Sequence, residues 1–322
     1  MSQVKITGLG RVGQLLAGAA IIALPLTGAL GCAGGKDGGG GGGDDTGGVY
    51  FYDQAANGRT AYLKTNGGFS GGDADTGTSD SVVDPDKAAI ITTGIGNITE
   101  SKTGPAASPA FAGFGKTTLF GDAGGRRLEV SEIGDVDKDG TSDDAFMMFS
   151  HNKPGTEFSL SYGGTRSSVA EIEAIKAKGA GHQATYKGTG EFYTAIGPNT
   201  YRHMGDLEMT AKFGGATAGI DGSISNLKQT DGVPVPAPVQ FDELAFKGEL
   251  DESVSPDYQT SDFVHRNNGK DVTTMTSQGA GSFFGANAGG TIGVFSGRGK
   301  IINGGSDVNL LGGYYGHTSD NN

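Results

Sequence analysis

The chain has 322 residues, with 24 basic side chains against 36 acidic ones and a formal net charge of −12, a balance that disfavours nucleic acid and anionic lipid headgroups as partners. Its 61 glycines follow no G-X-Y period, which excludes a collagen triple helix, and its single cysteine excludes an intramolecular disulfide. The 16 Phe and 10 Tyr are enough to build a core, and the length suggests one or two domains.

The first notable stretch, KITGLGRVGQLLAGAAIIALPLTGALGC (5–32), carries Gly8, Gly10 and Gly13 in the order G-x-G-x-x-G. A dinucleotide turn must lie in a βαβ unit with an acid about 20 positions on. Here Pro25 interrupts the helix that would follow, no acid precedes Asp37, and no second strand appears. Lys5 and Arg11 followed by a short apolar run and small residues form the layout of an export signal over residues 1–31. The apolar run falls short of the about 20 residues a bilayer span needs. Ala29-Leu30-Gly31-Cys32 resembles the bacterial lipobox, in which signal peptidase II cuts ahead of an acylated cysteine, although Ala29 stands where Leu is usual. That resemblance makes Cys32 the lipidation site, and Ala33 in place of an inner-membrane retention Asp implies the outer membrane. Acyl chains contribute about 0.8 kcal/mol per buried methylene, so several together anchor firmly. Without the signal, 22 basic residues face 36 acidic ones, a net −14.

Residues 32–48, with GGKDGGGGGGDDTGG at 34–48, have almost no side chains to pack and form a glycine-rich tether. VYFYDQAANGRTAYL (49–63) reads as two short strands around Asn57-Gly58. GFSGG (68–72) fits the G-x-S-x-G nucleophile pattern, but lies in a polar loop rather than at a strand–turn–helix junction, and a glycine-rich chain yields it by chance. Residues 66–110, rich in Gly, Ser, Thr, Asp and Pro, are expected to be long loops. Alternation resumes at 116–134 around Gly124-Gly125, and DAFMMFS (144–150) and EFSLSYGG (157–164) read as further strands.

Between them, GDVDKDGTSDDAF (134–146) places Asp135, Asp137, Asp139 and Asp143 at positions 1, 3, 5 and 9 of a D-x-D-x-D-G loop, with Gly140 at position 6. Such spacing turns carboxylates around a hard cation, and Thr141 adds a backbone carbonyl. Phe146 at position 12 excludes an EF-hand, and the shorter D-x-D-x-D-G-x-x-D calcium loops fit better. The expected ion is a structural Ca2+; the plain alternative is a solvated acidic turn.

SSVAEIEAIKAKG (167–179) is the one helix, with Ser168 and Glu171 at capping-box spacing, Val169, Ile172 and Ile175 on one stripe and Gly179 as its stop. It is too short to stand alone and is expected to lie on a sheet. Strands dominate afterwards. Tyr186, Gly188, Gly190 and Phe192 share a face, as do Leu207, Met209, Ala211 and Phe213, then Ala218, Ile220, Gly222 and Ile224 in a hairpin with them, then Leu244, Phe246, Gly248 and Leu250. Two more strands occupy 281–297, and VNLLGGYYG (308–316) ends the series. Roughly eight strands with one apolar face suggest a small closed barrel. The five histidines have no metal-ligand spacing. His203 and Tyr201 fall in GPNTYRHMGD, a loop ahead of a strand, and both are types that can ligate haem iron; a solvated side chain is the plain alternative. VPVPAPV (233–239) reads as a linker.

GSFFGANAGGTIGVFSG followed by LLGGYYG resembles the end of the barrel in the transferrin-binding protein B family of surface lipoproteins, which includes factor H-binding protein and haemophilins. Phe283, Phe284, Gly285, Gly293 and Phe295 stand at the family's aromatic pair, glycine and G-x-F positions. YKGTGEFY and LEMTAKFGGATAGIDGSISN are similar to its opening strands, while Gly289 and Gly290 replace a frequent acid pair. The likeness covers about residues 181–322 and the lipidated, tethered start. It implies an all-β chain: signal 1–31, tether 32–48, a β-rich, loop-rich handle with one short helix over 49–180, and an eight-stranded antiparallel barrel over 181–322. It also implies a lipid-anchored, surface-exposed outer-membrane protein that captures a host iron-carrying protein or haem, working with an outer-membrane receptor and a surface-lipoprotein translocator. No nucleophile, base and oxyanion set assembles, so an enzyme is not expected. The second reading is a structural or adhesive surface lipoprotein stiffened by calcium.

Overall fold

The computed structural model describes residues 58–318, except 65–72, 85–87, 94–95, 107–108, 121–126, 144, 154–156, 180, 198, 215–217, 232–239 and 251–254. The signal segment, Cys32, the tether, the expected strand before Asn57, Ser70 of the G-x-S-x-G match and the 233–239 linker lie outside the described residues.

Eight strands come first: β1 (Gly58–Lys64), β2 (Asp73–Asp84), β3 (Ala88–Thr93), β4 (Gly96–Pro105), β5 (Lys116–Phe120), β6 (Arg127–Gly134), β7 (Ala145–Lys153) and β8 (Glu157–Gly163). Each pairs antiparallel with the next and β8 returns to β1, closing a barrel. Helix α1 (Val169–Ala177) follows, then β9 (Gln183–Ile196), β10 (Asn199–Lys212), β11 (Gly219–Asp231), β12 (Glu243–Leu250), β13 (Asp257–Asn267), the two-residue β14 (Lys270–Asp271), β15 (Thr273–Phe284), β16 (Gly290–Ile301) and β17 (Asp307–Thr318). Leaving β14 aside, these eight strands run in the order β12-β11-β10-β9-β17-β16-β15-β13, and β13 pairs with β12 to close the ring. The chain is all-β with the eight-stranded antiparallel barrel expected at its C-terminal end. Among the described residues no helix is long and apolar enough to cross a membrane.

Three local expectations change. Residues 73–105 form β2, β3 and β4 rather than long loops. Closure pairs their backbone groups, and the few apolar β-branched residues there (Val82, Val83, Ile90, Ile91, Ile98) are outnumbered by turn formers. Strand β10 begins at Asn199, so GPNTYRHMGD is largely strand. Helix α1 keeps its capping box, in which the Glu171 amide donates to Ser168 Oγ and the Ser168 amide donates to Glu171 Oε2 at 2.7 Å. Val169, however, is 53 % exposed, and only Ile172 and Ile175 are buried, beside Phe213, Phe283 and Ala288. The helix packs against the 286–288 turn at a barrel end rather than on a sheet face.

The lumen of the second barrel is filled. Phe246 stacks on Tyr314 with centroids 5.2 Å apart, and Phe263 stacks on Phe295 at 4.3 Å. The Tyr258 hydroxyl lies 2.6 Å from Thr291 Oγ1 and 3.2 Å from the Tyr314 hydroxyl. These rings fit because glycines lie beneath them: a Cβ on Gly281 would strike the Tyr258 ring, and one on Gly293 the Tyr314 ring. Each fully buried ring contributes on the order of 2–3 kcal/mol.

A second apolar cluster joins the two barrels. Phe111, Phe114, Met147 and Leu160 of the first pack with Phe284, Ile292, Val294 and Leu311 of the second. Tyr193 donates its hydroxyl to the Ala110 carbonyl at 2.7 Å, and Gly113 donates its amide to Glu191 Oε2 at 2.7 Å.

Tyr314 is fully buried and tied to Tyr258, so it has little room to yield. Gly293→Ala is therefore expected to destabilise the protein by about 1–3 kcal/mol, read as a lower urea midpoint at unchanged slope. An unchanged midpoint would contradict the packing.

Candidate functional site

The connection from β6 to β7 is the strongest candidate site. Gly140 has φ +92, a left-handed value suited to its place at the turn of the loop, and Lys138 shares that region at φ 63. The turn brings oxygen atoms of Asp135, Asp137 and Asp143 within 4.8 Å of one another. Asp139 and Thr141 stay exposed on the outer side of the loop, where the Thr141 amide donates to Asp139 Oδ1 at 2.7 Å. Three of the four expected carboxylates thus converge, and Asp139 stands apart from them.

Backbone amides hold the three carboxylates. Val136 N donates to Asp143 Oδ2 at 2.8 Å, Gly140 N to Asp135 Oδ2 at 3.0 Å, and Asp139 N to Asp137 Oδ1 at 3.2 Å. Asp135 Oδ1 is buried and has no hydrogen-bond partner among the described residues. Burial pushes the Asp143 carboxyl up to about 6, the Val136 amide opposing and the Asp137 and Asp135 charges adding to the rise. Asp137, 1 % exposed, is raised first by burial and further by Asp139 and Asp135. An orphaned carboxylate oxygen among crowded, partly desolvated acids is a hard, all-oxygen donor set, which fits a calcium-sized cation.

The loop also docks on the second barrel. Val136 is buried with Phe284 and Ile292, and Ala286 donates its amide to Asp137 Oδ2 at 3.1 Å. Gly285, at φ +70, has the Asp137 carboxylate where a Cβ would stand. The Phe283-Phe284-Gly285 motif thus has three separate duties: Phe283 fills the lumen, Phe284 fills the junction, and Gly285 turns beneath Asp137.

Tyr201 and His203 lie on β10, not in a loop, and both are buried on its inward face. His203 is 4 % exposed, stacks on Phe192 at 5.4 Å and lies 4.7 Å from Phe241. Its Nε2 has no hydrogen-bond partner among the described residues. Beyond Phe241 sits His265, fully buried, with Nε2 3.0 Å from Thr194 Oγ1 and Nδ1 3.3 Å from Thr273 Oγ1. Burial holds His203 down at about 4 and His265 at about 3, the latter helped by His203. Sequence reasoning missed this pairing, because β13, which carries His265, has no clean alternation. It also missed Glu191, which is fully buried, paired with Arg202 and raised first by burial.

No family model matches the chain, and no curated protein does. Among solved structures it is similar to transferrin binding protein B of Neisseria meningitidis, at 14 % identity and a TM-score of 0.45, over 81 % of this chain and 43 % of that one. It is similar also to transferrin binding protein B of Haemophilus parasuis (13 %, 0.44, 81 % and 45 %) and to HpuA of Kingella denitrificans in complex with human haemoglobin (12 %, 0.35, 84 % and 89 %). The chain spans less than half the length of the two transferrin binding proteins.

His203 is neutral when folded, and its folded value lies below the ordinary 6.5. Its contribution to stability is therefore complete above about pH 6.5 and is lost as pH falls toward 4, by about 3 kcal/mol at most. Asp143, raised in the fold, has the opposite trend: it favours the folded state as pH falls from about 6 toward 3.8. A variant comparison separates the two. His203→Leu should lose less melting temperature between pH 7 and pH 4 than the parent does; equal losses would refute the buried neutral imidazole.

Proposed function

We propose that this chain is a binding lipoprotein displayed at the outer membrane on an acylated Cys32, and that it takes a host iron-carrying protein on the outside of its second barrel. The observation that carries this reading is the filled lumen: Tyr186, Phe192, Tyr258, Phe263, Phe283, Phe295 and Tyr314 occupy the interior a small ligand would need. A barrel packed in this way offers its partners walls and loops. Iron acquisition is supported by the resemblance at Phe283, Phe284, Gly285, Gly293 and Phe295, which extends equally to an outer-membrane receptor and a translocator. The reading assigns the chain no catalytic step. Tyr201 and His203 remain the candidate haem ligands, but haem would have to displace Phe192 and Phe241 from His203, and this favours a protein ligand.

Immobilised full-length chain, exposed to serum and to haemolysate, should retain transferrin or haemoglobin at physiological salt, and haem titration should give no Soret shift. A Soret shift with no protein retained would replace the protein ligand by haem. Retention of neither would leave the structural reading.

That second reading, a surface protein stiffened by calcium, is favoured by one observation: the Asp135, Asp137 and Asp143 cluster sits where the loop meets the Ala286 amide of the second barrel. A cation held only by the folded state must raise its stability, by about 2.7 kcal/mol at a hundred times its dissociation constant. Melting temperature should therefore rise by several degrees in calcium relative to chelator, and Asp137→Asn should abolish the difference. Identical melting in calcium and chelator would remove the ion.

A further inference from the structure

The first barrel covers only half of the second barrel's outer wall. Strands β9, β17, β16 and β15 lie under the junction, whereas among the described residues the outer faces of β11, β12, β13 and the Glu208 end of β10 are uncovered. An open cleft of about 690 Å³ is cut into this bare half. Its origin is readable in the strand register. Glu208, Ser223, Ala245 and Val264 lie side by side across four strands, so small side chains make the trough. Flanking rows are long and charged: Asp221 beside Lys247 on one side, and Glu243, Arg266 and Asp271 on the other.

A break in the wall deepens the trough. β13 pairs with β15 only from Asp257 to Ser261, and beyond that point the strands part. Side-chain hydroxyls bridge the gap: Phe263 N donates to Ser277 Oγ at 2.8 Å, and His265 N donates to Thr273 Oγ1 at 3.0 Å. The break begins at a bulge where the β12–β13 register shifts and Asp262 takes φ +54. Bulges of this kind re-aim side chains and commonly adjoin binding sites. Phe246, Phe263 and Met275 line the floor.

The geometry points to this cleft as the docking site for a basic segment of a partner protein, one that lays a Lys or Arg side chain along the Ser223–Ala245–Val264 trough. Charge decides the occupant. The lining holds five acids (Glu208, Asp221, Glu243, Asp262 and Asp271) against two bases. Arg266 is already held by Asp271 at 2.9 Å and by Glu243 at 4.0 Å. The carboxylate of Asp262 has neither a hydrogen bond nor an ion pair among the described residues. An aliphatic stem over small and apolar side chains, with its cationic head at Asp262, satisfies both halves of the cleft. This proposal rests on the reading that partners are taken on the outer wall.

The test uses the full-length chain and two fluorescein-labelled peptides, one of alternating Lys and Ser and one of alternating Glu and Ser, followed by fluorescence anisotropy. The Lys peptide should bind and the Glu peptide should not. Asp262→Asn, which keeps a residue tolerant of left-handed backbone, should weaken binding about threefold. Ala245→Trp, which fills the trough, should weaken it by roughly tenfold, and Lys247→Glu should strengthen it. Glu173→Lys, on the exposed side of α1, controls for the chain's overall negative charge and should change nothing. Equal binding of the two peptides, or a loss in Glu173→Lys matching that in Asp262→Asn, would overturn the proposal. So would a folded Ala245→Trp with parental affinity. A chain that retains a host iron protein yet fails these tests loses the cleft and keeps the function.

Discussion

The structure depends on strands β16 and β17 being buried on both faces. Inward, Phe295, Leu310 and Tyr314 join the aromatic filling of the second barrel; outward, Ile292, Val294 and Leu311 meet the first. An antiparallel sheet usually shows one face to water and reads as alternating apolar and polar residues. Here GTIGVF and LLGGYY have no polar face, because neither face meets water. The junction that results is not a loose linker. Glu191 illustrates this: it points outward from β9 yet is wholly buried, accepting from the Gly113 amide and paired with Arg202. A buried carboxylate is tolerated only when its partners are in place, so Arg202 within the second barrel and the Gly113 amide of the first both fix Glu191, and the Gly113 bond ties the two barrels at that point.

The same constraint explains what the sequence made legible. The inward faces of β10, β11 and β12 alternate cleanly, since their outer faces are largely polar, and they were readable together with the start of β9. The capping box of α1 and the D-x-D-x-D-G spacing are local chemistry and were readable for that reason. Strands β2 to β4 were not, because ring closure satisfies their backbones without asking for apolar side chains. β13 escaped because the bulge at Asp262 breaks its period of two, which moved Phe263 and His265 out of phase with Tyr258 and Thr260. The convergence of His203 with His265 was hidden with it: the two are 62 positions apart and meet only across a closed barrel. Val169 was misplaced for a simpler reason. The first residue of a helix lies at its rim, and the barrel end reaches only as far as Ile172.

Filled lumen, rigid junction and bare wall divide the labour of the molecule. A lumen packed with rings resting on glycines cannot open for a ligand without losing several well-buried aromatics at once, each worth a few kcal/mol. The junction immobilises one half of the outer wall. Recognition is left to the surfaces that no other part of the described chain uses, namely the β10–β13 wall and the loops. Because that wall is paired strand on a packed core, a partner that binds it orders little of the protein, and less of the contact energy goes to ordering.

The acidic loop belongs to this arrangement as well. Asp137 bonds to the Ala286 amide at the turn between β15 and β16, and Val136 next to it is part of the junction core. Three carboxylates crowd that seam, two of them nine-tenths buried and with their protonation made easier by burial. Ionised carboxylates this close together repel one another, and they do so beside the Asp137–Ala286 contact with the second barrel. Asp135 and Asp137 therefore sit one residue from the packing of Val136 on Phe284 and Ile292, Asp143 accepts from the Val136 amide, and β16, which carries Ile292, also carries Phe295 into the barrel.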